Sequence, residues 1–330
     1  MPTHPSSFRA PWWLSNGHAQ TILPVLLPER PKVPFQRSIL ELPDGDFLDL
    51  DTWSQGRPRL AVLSHGLEGN SDADYIHGMA RALHDSGWDV VAWNYRGCGG
   101  QANRLLRSYH SGETADLRAV LQHVASDRDQ VALVGFSLGG NITLKYLGEA
   151  PAHPAVVAGV AISAPLDLAA SAHALDQRWA NRLYLHRFLK TLIAKIDAKA
   201  LRFPGQLDIT RLAKIRSFQE FDDRFTAPLH GFRDANEYWT KCSSRQFLGG
   251  IRVPTLILNA RNDPFLTAES FPFEIVKHLP LVTLEAPTSG GHVGFLDHLK
   301  APMRWSERRV VEFLGEYLQS VKVILGTYNK

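Results

Sequence analysis

From Arg37 onward the chain alternates between two hydrophobic periods. Short runs such as RLAVLSHG from Arg59, WDVVAWNYRG from Trp88, QVALVGFS from Gln130, AVVAGVAISAP from Ala155, VPTLILNA from Val253 and LVTLEAP from Leu281 are apolar at successive positions. That is the pattern of strands buried on both faces. Between them, ADYIHGMARALHDSG, ETADLRAVLQHVA and RWSERRVVEFLGEYLQ carry apolar residues at helical spacing. Ahead of the first strand-helix unit, RSILEL and DFLDLDTW bracket PDGD, whose Asp-Gly suits a tight reversal and predicts a hairpin-like pair. Apolar strands alternating with amphipathic helices predict an α/β fold, a mostly parallel sheet with helices on both faces.

One stretch breaks the alternation, from about Leu166 to Phe247. In RLYLHRFLKTLIAKIDAKAL, Leu185, Leu189, Leu192 and Ile196 fall at helical spacing, and the aromatic-rich FQEFDDRFTAPLHGF follows. This predicts a helical insertion, or cap. The expected organisation is an N-terminal extension at 1–36, a core built from 37–165 and 248–320, a cap at 166–247 and a C-terminal tail at 321–330.

Composition narrows the function classes. A chain of 330 residues, 44% of them hydrophobic, can bury one large core. The net charge of +3 is small and its basic residues are scattered, which excludes the basic stripe needed to neutralise a nucleic-acid backbone. Cys98 and Cys242 form neither a disulfide framework nor a zinc spacing, and no H-E-x-x-H pattern occurs. The expectation is a reduced, cytoplasmic protein with no metal and no cofactor. MPTHPSSFRAPWW lacks a basic start followed by an apolar core, and no run approaches the ~20 apolar residues of a membrane span. Oligomeric state has no signature.

Candidate chemistry centres on VALVGFSLGGN, Val131 to Asn141, where two glycines bracket Ser137 at a strand-to-helix turn. G-x-S-x-G by itself also describes an ordinary turn, because Gly and Ser favour turns for conformational reasons. A serine nucleophile needs a base, the base needs an orienting acid, and the oxyanion needs fixed donors. Asp263 lies just past an apolar strand in LILNARNDPFL, and His292 lies in the glycine-rich TSGGHVGFLDH before the last helix. Taken singly, Asp263 reads as a turn former and His292 as a loop histidine. Their order after Ser137 is that of the α/β-hydrolases. The backbone N–H of Leu67, after the strand ending in SHG, and that of Leu138 are the expected oxyanion donors. Asp297 falls beyond the histidine loop and is assigned no role. His65 reads as packing behind the oxyanion loop, and His18 as either packing or site rim. NYRGCGG, lacking a Gly-Lys-Ser/Thr ending, reads as a turn at the sheet edge, with Cys98 structural for want of a basic partner evident in sequence.

Taken together, NGHAQTILP, SHGLEGNSDADYIHGMARAL, VVAWNYRGCGG, SYHSGETADL, GFSLGGN, NDPF and GGHVGFL resemble the YheT-like branch of the α/β-hydrolases over nearly the whole chain, from about Phe8 to Leu318. The resemblance implies Ser137 as nucleophile, Asp263 as acid and His292 as base, and a serine esterase acting on carboxylic esters, as a carboxylesterase or acylglycerol lipase. Ala19 departs from it, since a larger apolar residue is expected between the His and Gln of the N-terminal motif; the expected consequence is an altered pocket wall. The expected substrates are short- to medium-chain acyl esters or monoacylglycerols. The alternatives are acyl transfer to an alcohol with the same triad, and a ligand-binding protein on a hydrolase scaffold. In the cap, Lys190, Lys195, Lys199, Arg202, Arg211, Lys214 and Arg216 gather with only Asp197 and Asp208 among them. That cluster reads either as a solvated face or as a peripheral contact with anionic membranes.

Overall fold

The computed structural model describes residues 3–27, 30 and 32–327, with side chains for 4–27, 30 and 32–317. Its strands are β1 (Thr3–His4), β2 (Gln36–Glu41), β3 (Phe47–Trp53), β4 (Arg59–Ser64), β5 (Asp89–Trp93), β6 (Gln130–Phe136), β7 (Val156–Ile162), β8 (Thr255–Leu258) and β9 (Val282–Glu285). They form one sheet in the order β1-β9-β8-β7-β6-β4-β5-β3-β2. The pairings β2–β3 and β3–β5 are antiparallel and the rest parallel. The two residues of β1 carry no periodic signal and were not legible in the sequence.

The helices are α1 (Gly17–Leu26), α2 (Asp74–Asp85), α3 (Thr114–Val124), α4 (Leu138–Glu149), α5 (Leu168–Gln177), α6 (Arg182–Arg202), α7 (Phe218–Phe221), α8 (Ala227–Leu229), α9 (Ala235–Cys242), α10 (Phe273–Val276) and α11 (Trp305–Thr327). Successive residues of each central strand face opposite layers, as a pleated strand requires. Leu60 and Val62 of β4 pack with Val131 and Leu133 of β6 against α3 and α4. Ala61 and Leu63 pack with Ala132 and Val134 on the other face, against Ile76, Met79, Ala80 and Leu83 of α2 and Val310 and Phe313 of α11. Spacings of three, four and seven put the α2 residues on one stripe, and that burial holds the helix to the sheet.

Between β7 and β8 the helices build their own core from Leu185, Leu189 and Ile196 of α6 with Phe218, Phe221 and Phe225. A π-helical turn, Asp222–Thr226, joins α7 to α8. The last helix runs through the 320/321 boundary expected for the tail, and 328–330 lie outside the described residues, as do 1, 2, 28, 29 and 31 of the expected N-terminal extension. Among the described residues no helix is long and apolar enough to cross a membrane.

Two readings of the sequence change. The basic residues of α6 do not share one solvated face. The Lys195 ammonium reaches the Glu68 carboxylate at 2.9 Å, and Lys199 is buried, donating to Asn103 Oδ1 at 2.8 Å and to the Leu105 carbonyl at 2.7 Å. Arg202 donates to the Asn103 carbonyl at 2.7 Å. These cations pin the helical layer to the core through the carbonyls and side chain of the 103–105 stretch. The second change concerns NYRGCGG, which caps β5 inside the sheet, not its lateral margin. Arg96 there is buried against both carboxylate oxygens of Asp116, at 2.7 and 2.8 Å.

Candidate active site

The β6–α4 turn is tight. Ser137 has φ 53° and ψ −119°, a conformation costing about 1–3 kcal/mol for a residue with a side chain. The glycines around it have no room for substituents. A Cβ on Gly135 would meet the Gly139 carbonyl oxygen at 2.2 Å, and one on Gly139 would meet that of Ser64 at 2.3 Å. The strained turn lifts the Ser137 hydroxyl above the carboxyl ends of the strands and sets it at the N-terminus of α4, where peptide dipoles favour negative charge.

Asp263 and His292 arrive from the loops after β8 and β9. His292 Nε2 lies 2.8 Å from Ser137 Oγ, and His292 Nδ1 lies 2.8 Å from Asp263 Oδ2. The Asp263 side chain is fully buried and accepts the Phe265 N–H at 2.9 Å through its other oxygen. With Nδ1–H donating to the carboxylate, Nε2 is left to accept the serine proton. The Phe265 ring covers the imidazole at 4.2 Å between centroids. Asp297 instead pairs with Arg308.

The amides around Leu67 are sorted by their partners. Gly66 N–H donates to the Tyr75 hydroxyl at 2.9 Å and Glu68 N–H to the Tyr109 hydroxyl at 3.0 Å. The N–H groups of Leu67 and Leu138 donate to no acceptor among the described residues. Two unpaired amides beside a serine hydroxyl are the donor set a tetrahedral oxyanion requires. His65 backs this loop as the sequence suggested. Burial pushes it down to about 3, so the ring is neutral; Nδ1–H donates to the Gly66 carbonyl at 2.8 Å and Nε2 accepts Tyr95 N–H at 3.3 Å.

Several positioning residues were missed in the sequence. Asn16 caps α1 by accepting His18 and Ala19 N–H, worth about 1 kcal/mol. From that helix the Thr21 hydroxyl accepts His292 N–H at 2.9 Å, while the Gln20 amide bridges Leu14 and Leu296. Asn262 Oδ1 accepts Gly291 N–H at 3.0 Å and Ser163 Oγ accepts Val293 N–H at 2.9 Å. These contacts hold a strained loop in which Gly291, Val293 and Phe295 have φ of 59°, 63° and 42°. The available signal was the polar NGHAQT run itself, obscured as a helix by Pro24. His18 packs against Tyr184, its Nδ1 3.1 Å from the Tyr184 hydroxyl, and does not line the cavity. Ala19 is half-buried and does not line the cavity. Cys98 does have a basic partner, Lys195 Nζ at 3.2 Å, which arrives from α6, yet burial pushes its thiol up to about 11 and keeps it protonated.

From Ser137 and His292 a largely apolar cavity runs into the helical layer between Leu175, Leu192, Ile196, Phe221 and Phe225. Asp222 also lines it, accepting from Thr226 Oγ1 at 2.6 Å and Trp239 Nε1 at 2.8 Å, and burial pushes its carboxyl up to about 7. A carboxyl raised on folding stabilises the native state below its unfolded pKa, near 4, and that contribution is lost as pH rises through about 7. Asp222→Asn, which cannot ionise, is therefore expected to lessen the fall in Tm between about pH 5 and pH 8. Parallel Tm-pH curves for variant and wild type would overturn this.

Comparison with known proteins agrees with this architecture. Residues 62–299 match the family described as alpha/beta hydrolase fold. The chain is 38% identical to YheT of Escherichia coli (strain K12) over 317 residues, covering 93% of this chain and 92% of that one. It is 30% identical to the phospholipase ABHD3 of Mus musculus, covering 86% and 72%. The esterase Pf2001 of Pyrococcus furiosus shares the fold, with a TM-score of 0.58 at 17% identity, covering 88% of this chain and 99% of that one. By these sequence matches, this chain belongs to the YheT-like branch of the α/β-hydrolase superfamily.

Proposed function

We propose that the protein is a serine hydrolase of carboxylic esters, with Ser137 as nucleophile, His292 as general base and acid, and Asp263 as orienting carboxylate. His292 Nε2 takes the Ser137 proton as Oγ attacks the ester carbonyl. The N–H groups of Leu67 and Leu138 receive the oxyanion, helped by the positive end of α4. On collapse, His292 protonates the leaving alcohol and an acyl-enzyme remains on Ser137. Water, deprotonated by the same imidazole, then releases the acid. Asp263 keeps Nδ1 protonated throughout and stabilises the imidazolium as it forms.

The observation that carries this reading is the continuous hydrogen-bonded path Ser137–His292–Asp263, at 2.8 Å for each step, opening on an apolar cavity. Residues 166–247 act in it as a cap whose leucines and phenylalanines receive the acyl chain, which favours short- to medium-chain esters, monoacylglycerols included. The names of two relatives, the murine phospholipase and a Saccharomyces cerevisiae monoacylglycerol lipase 28% identical over 294 residues, point toward acyl lipids. The test is kcat/KM on p-nitrophenyl esters from acetate to dodecanoate. Activity is expected to rise with chain length, peak at a medium chain and then fall. A profile that is flat with length, or no turnover of any ester, would overturn the substrate reading.

A further inference from the structure

Two short turns face outward with their tryptophans while burying the third residue of each. In Trp12–Leu14, Trp12 is 88% exposed and Leu14 is buried; in Trp179–Asn181, Trp179 is 78% exposed and Asn181 is buried. Tryptophan at such exposure is costly in water unless something covers it.

Both turns are fastened to one three-residue stretch around Asp263. Asn262 Nδ2 donates to the Ser15 carbonyl at 2.7 Å, next to the first turn, and Asn181 Nδ2 of the second donates to the Pro264 carbonyl at 2.8 Å. Residues 262 and 264 are at most about 7 Å apart, so both turns are anchored to one short stretch around Asp263. His18 and Tyr184 tie α1 to α6 in the same place, with Tyr184 stacked edgewise on Phe265, which covers His292. Leu183, 68% exposed, adjoins them.

The α6 side of this rim is basic, while Glu269 faces Arg178 from the loop after β8. From Gln177 to Ile196 the chain contains Arg178, Arg182, Arg187, Lys190 and Lys195 and no Asp or Glu. Lys195 turns inward to Glu68, whereas Arg182, Arg187 and Lys190 are exposed and meet no carboxylate among the described residues. Indole rings prefer the region between water and hydrocarbon, and unpaired cations next to them favour an anionic surface.

We propose that the Trp12 and Trp179 turns, with Leu183 and the Arg182, Arg187 and Lys190 face of α6, form a docking surface for anionic lipid beside the site. It rests on the ester-hydrolase reading only for what the docked protein would act on. The rings enter the headgroup layer and the three cations meet lipid phosphates, which brings the catalytic loops to esters held in that layer.

The test separates docking from catalysis by using both the wild type and Ser137→Ala in co-sedimentation with vesicles of phosphatidylcholine alone or mixed with phosphatidylglycerol. Both proteins are expected to bind the mixed vesicles about tenfold or more tightly than the neutral ones, with a loss at high salt. Trp12→Ser with Trp179→Ser, and separately Arg182→Gln with Arg187→Gln and Lys190→Gln, are expected to reduce binding about tenfold while hydrolysis of soluble p-nitrophenyl acetate stays within about twofold. Equal binding to both vesicle types, or variants that bind like wild type, would overturn the proposal. So would a dimer in light scattering that the tryptophan variants dissociate, since a second copy would then be the occupant. Wild type that docks yet hydrolyses no ester would sink only the catalytic reading.

Discussion

Ser137→Ala is expected to lower kcat for any ester the wild type cleaves by about 10⁶-fold, because removing the nucleophile leaves only binding and oxyanion contacts to act on the substrate. The fold should survive. The substitution deletes one oxygen at a half-buried position whose main partner is the His292 ring, and its strained backbone is held by Ser137 N–H donating to the Ile162 carbonyl at 2.8 Å. Tm is therefore expected to change little. A fluorophosphonate probe should label the wild type at one serine and the variant not at all. Turnover near the wild-type rate in a variant that melts normally would rule out the acyl-enzyme on Ser137.

The second large effect separates two aspartates that lie close to His292 in sequence or in space. Asp263→Asn is expected to lower kcat by about 10⁴-fold. The carboxylate only accepts from Nδ1, whereas an asparagine amide can donate to it and so favour the other tautomer. Nε2 would then carry the proton and could no longer take one from Ser137. Asp297→Asn removes one partner of Arg308 in a half-exposed pair, worth below about 1 kcal/mol, and is expected to leave kcat within a few fold. Both are read from kcat on a single ester, with Tm measured alongside. If Asp297 proves the sensitive position, the acid has been assigned to the wrong loop.

The two predictions depend on different kinds of order. Replacing Ser137 removes the atom proposed to attack the ester, and its effect needs no particular orientation of the neighbours. Replacing Asp263 changes which nitrogen of His292 holds a proton, so it acts only if the imidazole is held still. The restraints are local and identifiable. Thr21 and Ser163 hydroxyls accept the backbone N–H groups of His292 and Val293, Asn262 accepts that of Gly291, and Phe265 covers the ring. Positive φ at Val293 is unfavourable for a β-branched residue, and the loop keeps it because packed neighbours leave no relaxed alternative.

Much was determined by the sequence alone, because periodicity is a local property. Eight strand runs and the long helices could be read from the spacing of apolar residues, since burial on one face or two imposes that spacing wherever the strand or helix lies. Ser137, Asp263 and His292 stood out because each follows a strand end, where a parallel sheet gathers its loops. Tertiary structure decided what depends on contacts across the chain. The Ser137–His292 and His292–Asp263 contacts span 155 and 29 residues, and no local pattern sets their distances. It also decided the direction of charged side chains: Lys195 and Lys199 share a basic run with Lys190, yet they turn inward because Glu68 and the carbonyls near Asn103 supply acceptors there. Trp12 and Trp179 went the other way. Their hydrophobicity alone would place them inside, and they stand outside because Leu14 and Asn181 occupy the buried positions of their turns. A side chain's environment is set by which partners the fold brings within reach, and a sequence carries that information only through the structure it forms.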